Sequence, residues 1–132
     1  MPEFAAAPSG TSPTAAPRVA IVDDDVRIRT LLRLELEDLG AEVHCYVSAE
    51  EAIDGTAGLV LDLVLLDVGL PGMDGLRCLE QLRKSGLSAR VVLMSGHWTP
   101  RDKGEMLAAG AEQHVLKTDL PARLAGLLAG RS

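Results

Sequence analysis

The chain has 132 residues, room for one domain and one hydrophobic core of ordinary size. Hydrophobic residues make up 47% and aromatic residues only 2%, so a core must be built from Leu, Val, Ile and Ala, which suits helix-on-sheet packing. A net charge of -6 and a pI near 5.0 provide no basic surface of the kind phosphate-dominated attraction needs, which argues against direct nucleic-acid contact. No apolar run approaches a membrane span and no charged-then-apolar leader opens the chain, so a cytoplasmic protein without membrane contact is expected. Cys45 and Cys78 are too few and too far apart for a metal site or a secreted scaffold, and read as reduced thiols.

Residues 1–17 are Ala, Pro, Ser, Thr and Gly with almost no large apolar side chain, and are expected to be a disordered tail or, in part, a cloning remnant; the domain is expected over 18–132. From Arg18 on, apolar runs alternate with helix-length amphipathic segments five times, the pattern of a parallel sheet with helices on both faces. The strand VAIV (19–22) leads to a helix from about Val26 to Leu39, closed by Gly40. EVHCY (42–46) precedes a helix opened by Ser48 with Glu51 three residues on, a capping-box pattern; Gly55 and Gly58 shorten it to about two turns. LVLL (63–66) is continuously apolar, as a central parallel strand must be, and ends at Asp67. Asp74 is placed to cap a helix whose stripe is Leu76, Leu79 and Leu82. VVLM (91–94) is followed by a helix with Thr99 as cap and Pro100 at its first position, ending at Gly110. HVLK (114–117) leads into a last helix near Pro121 with Leu124, Leu127 and Leu128 facing the core.

The polar residues sit where the strands end. Strand one runs into Asp23, Asp24 and Asp25, strand three into Asp67, strand four into Ser95, and strand five closes on Lys117. In an open parallel sheet, ligands bind beyond those carboxyl ends. Clustered carboxylates stay ionised at neutral pH only if a cation compensates them, and hard oxygen ligands with a phosphate to hold select Mg²⁺. A Mg²⁺ held by Asp24 and Asp67, with a lysine ammonium nearby, leaves phosphoryl transfer to positioning and charge stabilisation. Asp67, on the central strand, is best placed as the nucleophile.

The segments AIVDDD (20–25), LLDVGLPGMDG (65–75), LMSG (93–96) and VLK (115–117), in this order, resemble the bacterial two-component response-regulator receiver family over residues 18 to about 130. The resemblance implies a doubly wound (βα)5 three-layer sandwich, flavodoxin-like, with sheet order 2-1-3-4-5. It implies that Asp24 binds Mg²⁺ directly and Asp23 through water, and that Asp67 is both phosphoacceptor and metal ligand. The Gly69 carbonyl would be a further ligand, Ser95 a hydrogen-bond donor to the phosphoryl group, and Lys117 its cationic partner. The implied donor is a sensor histidine kinase or a phosphotransfer protein. The implied output is a switch on the face of the fourth helix, fifth strand and fifth helix, read by an output partner, an output domain absent from this sequence, or a second copy in a homodimer.

Thr118 stands where the family usually has a proline, often cis, which makes the placement of Lys117 the weakest geometric expectation. His114 stands where the family often has an aromatic switch residue, and reads either as that switch or as a partly exposed strand-end histidine. His97 is open between tuning the phosphoryl lifetime and an ordinary loop role, Trp98 between a loop anchor and a partner face, and Asp25 between the acid group and a helix cap. Two other functions remain open: a receiver-like binding module that is never phosphorylated, and a haloacid-dehalogenase-type phosphatase with Asp23 as nucleophile and Asp25 as acid/base. The second leaves LLDVGLPGMDG without a role.

Overall fold

In the computed structural model, residues 16–73, 75–96, 104 and 107–130 are described. Five parallel strands form one sheet in the order β2-β1-β3-β4-β5, with β1 at Arg18–Val22, β2 at Glu42–Tyr46, β3 at Leu63–Asp67, β4 at Arg90–Ser95 and β5 at Gln113–Leu116. Between them run α1 (Val26–Asp38), α2 (Ala49–Thr56) and α3 (Gly75–Lys84), and α4 (Leu120–Leu128) closes the chain. The helix expected between β4 and β5 falls largely outside the described residues, though Gly104, Leu107 and Ala108 are helical; its Thr99 and Pro100, and the Asp74 cap, also lie outside. This is the expected flavodoxin-like, doubly wound arrangement.

The sheet is shared by two cores, because side chains on a strand alternate in direction. Ala20, Val22, Val64, Leu66, Val91 and Leu93 face α2 and α3. Val19, Ile21, Leu63, Leu65, Val92 and Met94 face α1 and α4. A strand buried on both sides must be apolar at every position, which is why LVLL and VVLM carry no polar residue. The Cys78 thiol is fully buried in the first core, and that burial pushes it up to about 12, a value that leaves it without reactive thiolate.

Local signals set the ends of the elements. Ser48 Oγ accepts from the Glu51 amide at 3.1 Å, but Glu51 Oε1 accepts from the Val47 amide at 3.2 Å, one residue ahead of the expected box. α2 is eight residues long, and its Gly55 admits the Tyr46 ring, which a methyl group there would meet at 2.3 Å. Pro17, expected in the tail, accepts from the Glu42 amide at 2.8 Å and so belongs to the folded edge. Lys117, expected as the last residue of β5, lies one past its end at Leu116. At the amino ends of β4 and β5 the Arg90 guanidinium grips Glu112 with two contacts of 2.8 and 2.9 Å and donates to the Leu127 carbonyl of α4 at 2.8 Å.

Gly75 opens α3 against the backbone of the loop that follows Asp67. A methyl group there would lie 2.7 Å from the Val68 Cα. Backbone cannot step aside as a flexible side chain can, so Gly75→Ala is expected to cost about 1–3 kcal/mol, read as a lower urea midpoint with an unchanged m-value.

Candidate functional site

The strand order reverses at β1 and β3. The helix after β1 leads to β2 on one side, and the chain then returns to place β3 on the other, which leaves a crevice beyond the carboxyl ends of those two strands. Asp23 follows β1 and Asp67 ends β3, so the fold delivers both acids to that crevice. Carboxylate oxygens of Asp23, Asp24 and Asp67 all lie within 4.8 Å of one another. Asp23 and Asp67 are buried, at 0% and 4% exposure, whereas Asp24 is exposed.

Lys117 reaches the same point from β5. Its Nζ lies 2.8 Å from Asp23 Oδ2 and 3.2 Å from Asp67 Oδ2. The Lys117 amide donates to the Ser95 carbonyl at 2.8 Å, which continues the β4–β5 ladder one step past the strand and fixes where the side chain begins. The Lys117–Thr118 peptide is trans, and the lysine is in place without the family's proline. Burial raises the Asp23 carboxyl above its usual range, partly offset by the hydrogen bonds from Lys117 and from the Asp25 amide. For Lys117, burial works against the charge, but the hydrogen bond to Asp23 and the charges of Asp67 and Asp23 outweigh it, so its ammonium is held above the ordinary lysine value.

Gly69 enters the site through its N–H, which donates to Asp67 Oδ1 at 3.0 Å. Ser95, buried at the end of β4, has its Oγ 2.8 Å from His114 Nε2. His114 pairs with Leu93 across the ladder, so it shares a sheet face with Ser95 two residues on. The alternative of a partly exposed strand-end histidine is thereby corrected: His114 is 5% exposed. His97 and Trp98 lie outside the described residues.

Asp25 does not join the acids. Its carboxylate caps α1, accepting from the Arg27 amide at 2.8 Å, and pairs with the Arg27 guanidinium at 3.1 Å, which holds it below the usual carboxylate range. An acid/base so engaged is unsuited to protonating a leaving group, and the phosphatase alternative is not favoured. One contact was not anticipated from the sequence: Arg29 Nη1 donates to the main-chain carbonyl of Asp23 at 2.7 Å. Its only signal there is a basic residue in the first turn of a helix, where the backbone dipole disfavours one.

The oxygen set fits a hard divalent cation. Opposite ligands of an octahedral Mg²⁺ are roughly 4.2 Å apart, twice the metal–oxygen distance. Three carboxylate oxygens within 4.8 Å of one another match that span if one acid acts through water. A cavity of about 350 Å³ lies at the opposite, amino end of the strands, lined by residues such as Thr56, Leu61, Leu82 and Leu87, with no charged side chain. It has no carboxylate, imidazole or amine to accept a phosphoryl group or compensate its charge.

A family model for the response regulator receiver domain matches residues 19–128. The two-component response regulator PhoP of Pseudomonas aeruginosa is 36% identical over an alignment of 115 residues that covers 84% of this chain and 51% of that protein. The regulatory protein AtoC of Escherichia coli is 33% identical over 79% of this chain and 23% of its own length, so the chain spans about half of one relative and a quarter of the other. Among solved structures, the chemotaxis protein CheY4 of Vibrio cholerae superposes with a TM-score of 0.81 at 26% identity, over 89% of this chain and all of that one. A CheY-like receiver domain protein from Methanospirillum hungatei superposes at 0.77 with 27% identity, over 88% and 96%. Motif order, sheet topology and the acid crevice agree with these matches: the chain belongs to the response regulator receiver domain family, the phosphoacceptor switches of two-component signalling.

Proposed function

We propose that Asp67 is the phosphoacceptor, taking the group from a phosphohistidine on a sensor histidine kinase or phosphotransfer protein. The observation that carries this is the Lys117 ammonium 3.2 Å from a buried carboxylate at the end of the central strand, with Asp23 and Asp24 on the same rim. In the step, an Asp67 oxygen forms a bond to phosphorus as the phosphorus–nitrogen bond of the donor breaks. The Gly69 N–H and Lys117 hold the two Asp67 oxygens apart and oriented, which supplies the positioning such a transfer needs. Asp24 and Asp67 would hold Mg²⁺ directly, Asp23 through water, and the Gly69 carbonyl would complete the protein's share; when bound, the ion would supply positive charge to the phosphoryl oxygens. The same groups assist hydrolysis of the acyl phosphate, so the domain speeds its own phosphorylation and dephosphorylation without being an enzyme toward another substrate.

Ser95 and His114 are the readout. A phosphoryl oxygen on Asp67 competes with His114 for the Ser95 hydroxyl, and His114, on β5, passes the change to the face of the helix expected between β4 and β5, β5 itself and α4. That face is where an output domain, an output partner or a second copy docks. The domain spans residues 18–132, with Pro17 at its folded edge, and works in the cytoplasm.

Incubation with acetyl phosphate and Mg²⁺ is expected to add one phosphoryl mass to the wild type, lost in alkali, and none to Asp67→Asn or to wild type in EDTA. An adduct of equal yield on Asp67→Asn would place the acceptor elsewhere, and no adduct on the wild type from acetyl phosphate or any kinase would favour the unphosphorylated binding module.

The ion pairs make a second expectation. In metal-free buffer Lys117→Met leaves the buried carboxylates uncompensated and is expected to lose about 2–3 kcal/mol at pH 7, the buried-pair cost discounted for the 20% exposure of the lysine. A group whose folded value is raised adds stability below its unfolded value. The lysine's contribution is therefore expected to persist up to about pH 10.5 and to vanish as pH rises through its higher folded value. On the acid side the difference between the proteins closes as Asp23 protonates, beginning above pH 3.8 because burial raises its folded value. Urea midpoints across pH check both limbs; a flat difference would show that Lys117 does not compensate the acids.

A further inference from the structure

α1 opens with two arginines, Arg27 and Arg29, and no acidic residue in its first turn. The amino end of a helix carries the positive end of its dipole, so both charges sit where the backbone repels them. Arg27 is answered by Asp25 at 3.1 Å. Arg29 is answered by an uncharged group, the Asp23 carbonyl at 2.7 Å, in a part-buried contact that spans six residues from the helix back to the end of β1.

That carbonyl belongs to the peptide joining Asp23 to Asp24. On the near side of this turn the Asp23 amide donates to the Tyr46 carbonyl at 3.1 Å. On its far side the Asp25 amide donates to Asp23 Oδ1 at 2.8 Å. Asp24 is thus strung between two fixed points, and the Arg29 bond holds the peptide that leads into it. Among the described residues no hydrogen bond is made to the Asp24 carboxylate, which is exposed. With no side-chain hydrogen bond to hold it, the main-chain path from Asp23 to Asp25 sets the point from which its carboxylate reaches toward Asp67.

We infer that Arg29 is a positioning residue for the cation site: by locking the Asp23–Asp24 peptide it aims the Asp24 carboxylate at the crevice it shares with Asp67. This rests on the reading of the acids as the Mg²⁺ site that supports phosphorylation of Asp67. A guanidinium that acted only through its charge would repel a cation, so its removal would tighten Mg²⁺ binding; one that aims a ligand does the reverse. The two roles differ in sign.

The experiment is calorimetric titration of the folded protein with MgCl2, on wild type, Arg29→Gln and Arg29→Lys, with unfolding midpoints measured alongside. Arg29→Gln is expected to bind Mg²⁺ roughly tenfold more weakly, the usual loss when a group supporting a ligand is removed. Arg29→Lys, which keeps the charge but not the fork or the reach, is expected to be weakened as well. In acetyl phosphate reactions the half-saturating Mg²⁺ concentration should rise by the same factor, with the rate recovering as Mg²⁺ is raised. Binding by Arg29→Gln as tight as wild type or tighter overturns the inference while leaving the metal site intact; should that variant fail to fold, Arg29→Lys is judged by the same criterion. A wild type that binds no Mg²⁺ overturns the metal reading itself, and the inference with it.

Discussion

Two carboxylates withdrawn from water at the mouth of a crevice can stay charged only while a cation faces them, and in this structure that cation is the Lys117 ammonium. The compensation links side chains from three strands at the rim. β1 contributes Asp23, β3 contributes Asp67, and the lysine arrives from beyond β5, across the width of β4. Because Lys117 is held by its main chain to Ser95, the charge pair and the Ser95 hydroxyl that meets His114 are set by one stretch of ladder. The groups proposed for reaction and for readout are joined in the backbone.

Much of this was legible in the residues. Runs such as LVLL and VVLM, apolar at consecutive positions, admit only a strand covered on both faces, and acids at the ends of such strands have only one rim to share. Less legible were the contacts that depend on how segments far apart in the chain come to lie together. The Ser95–His114 bond follows from His114 pairing with Leu93, a register that neither segment encodes alone. The Arg29 bond joins a helix to a carbonyl, and main-chain oxygens carry no signature in the sequence. Asp25 was open between the acid group and a helix cap because three aspartates run together; the helix that starts at the next residue makes it the cap. The Glu51 contact slipped to Val47 for a similar reason, since the side chain can reach either amide and the path of the preceding loop decides.

The Thr118 departure shows what the family's proline does not have to do. With a trans peptide after Lys117, the Asp119 amide bonds back to the Leu116 carbonyl at 2.9 Å and the Leu120 amide to the Lys117 carbonyl at 3.4 Å, a tight turn that passes directly into α4. The lysine's position is fixed upstream, by the ladder to Ser95, and the turn only has to clear the space. Pro121, one residue into α4, supplies the rigidity at a point where its missing N–H costs the helix nothing.

At the other end of the sheet, the grip of Arg90 on Glu112 and on the Leu127 carbonyl binds the entry of β5 to β4 and to the close of α4. With β5 held at its entry, the displacement proposed for Ser95 and His114 would fall mainly on the β5 exit and the α4 entry beside the crevice, and fade toward the arginine.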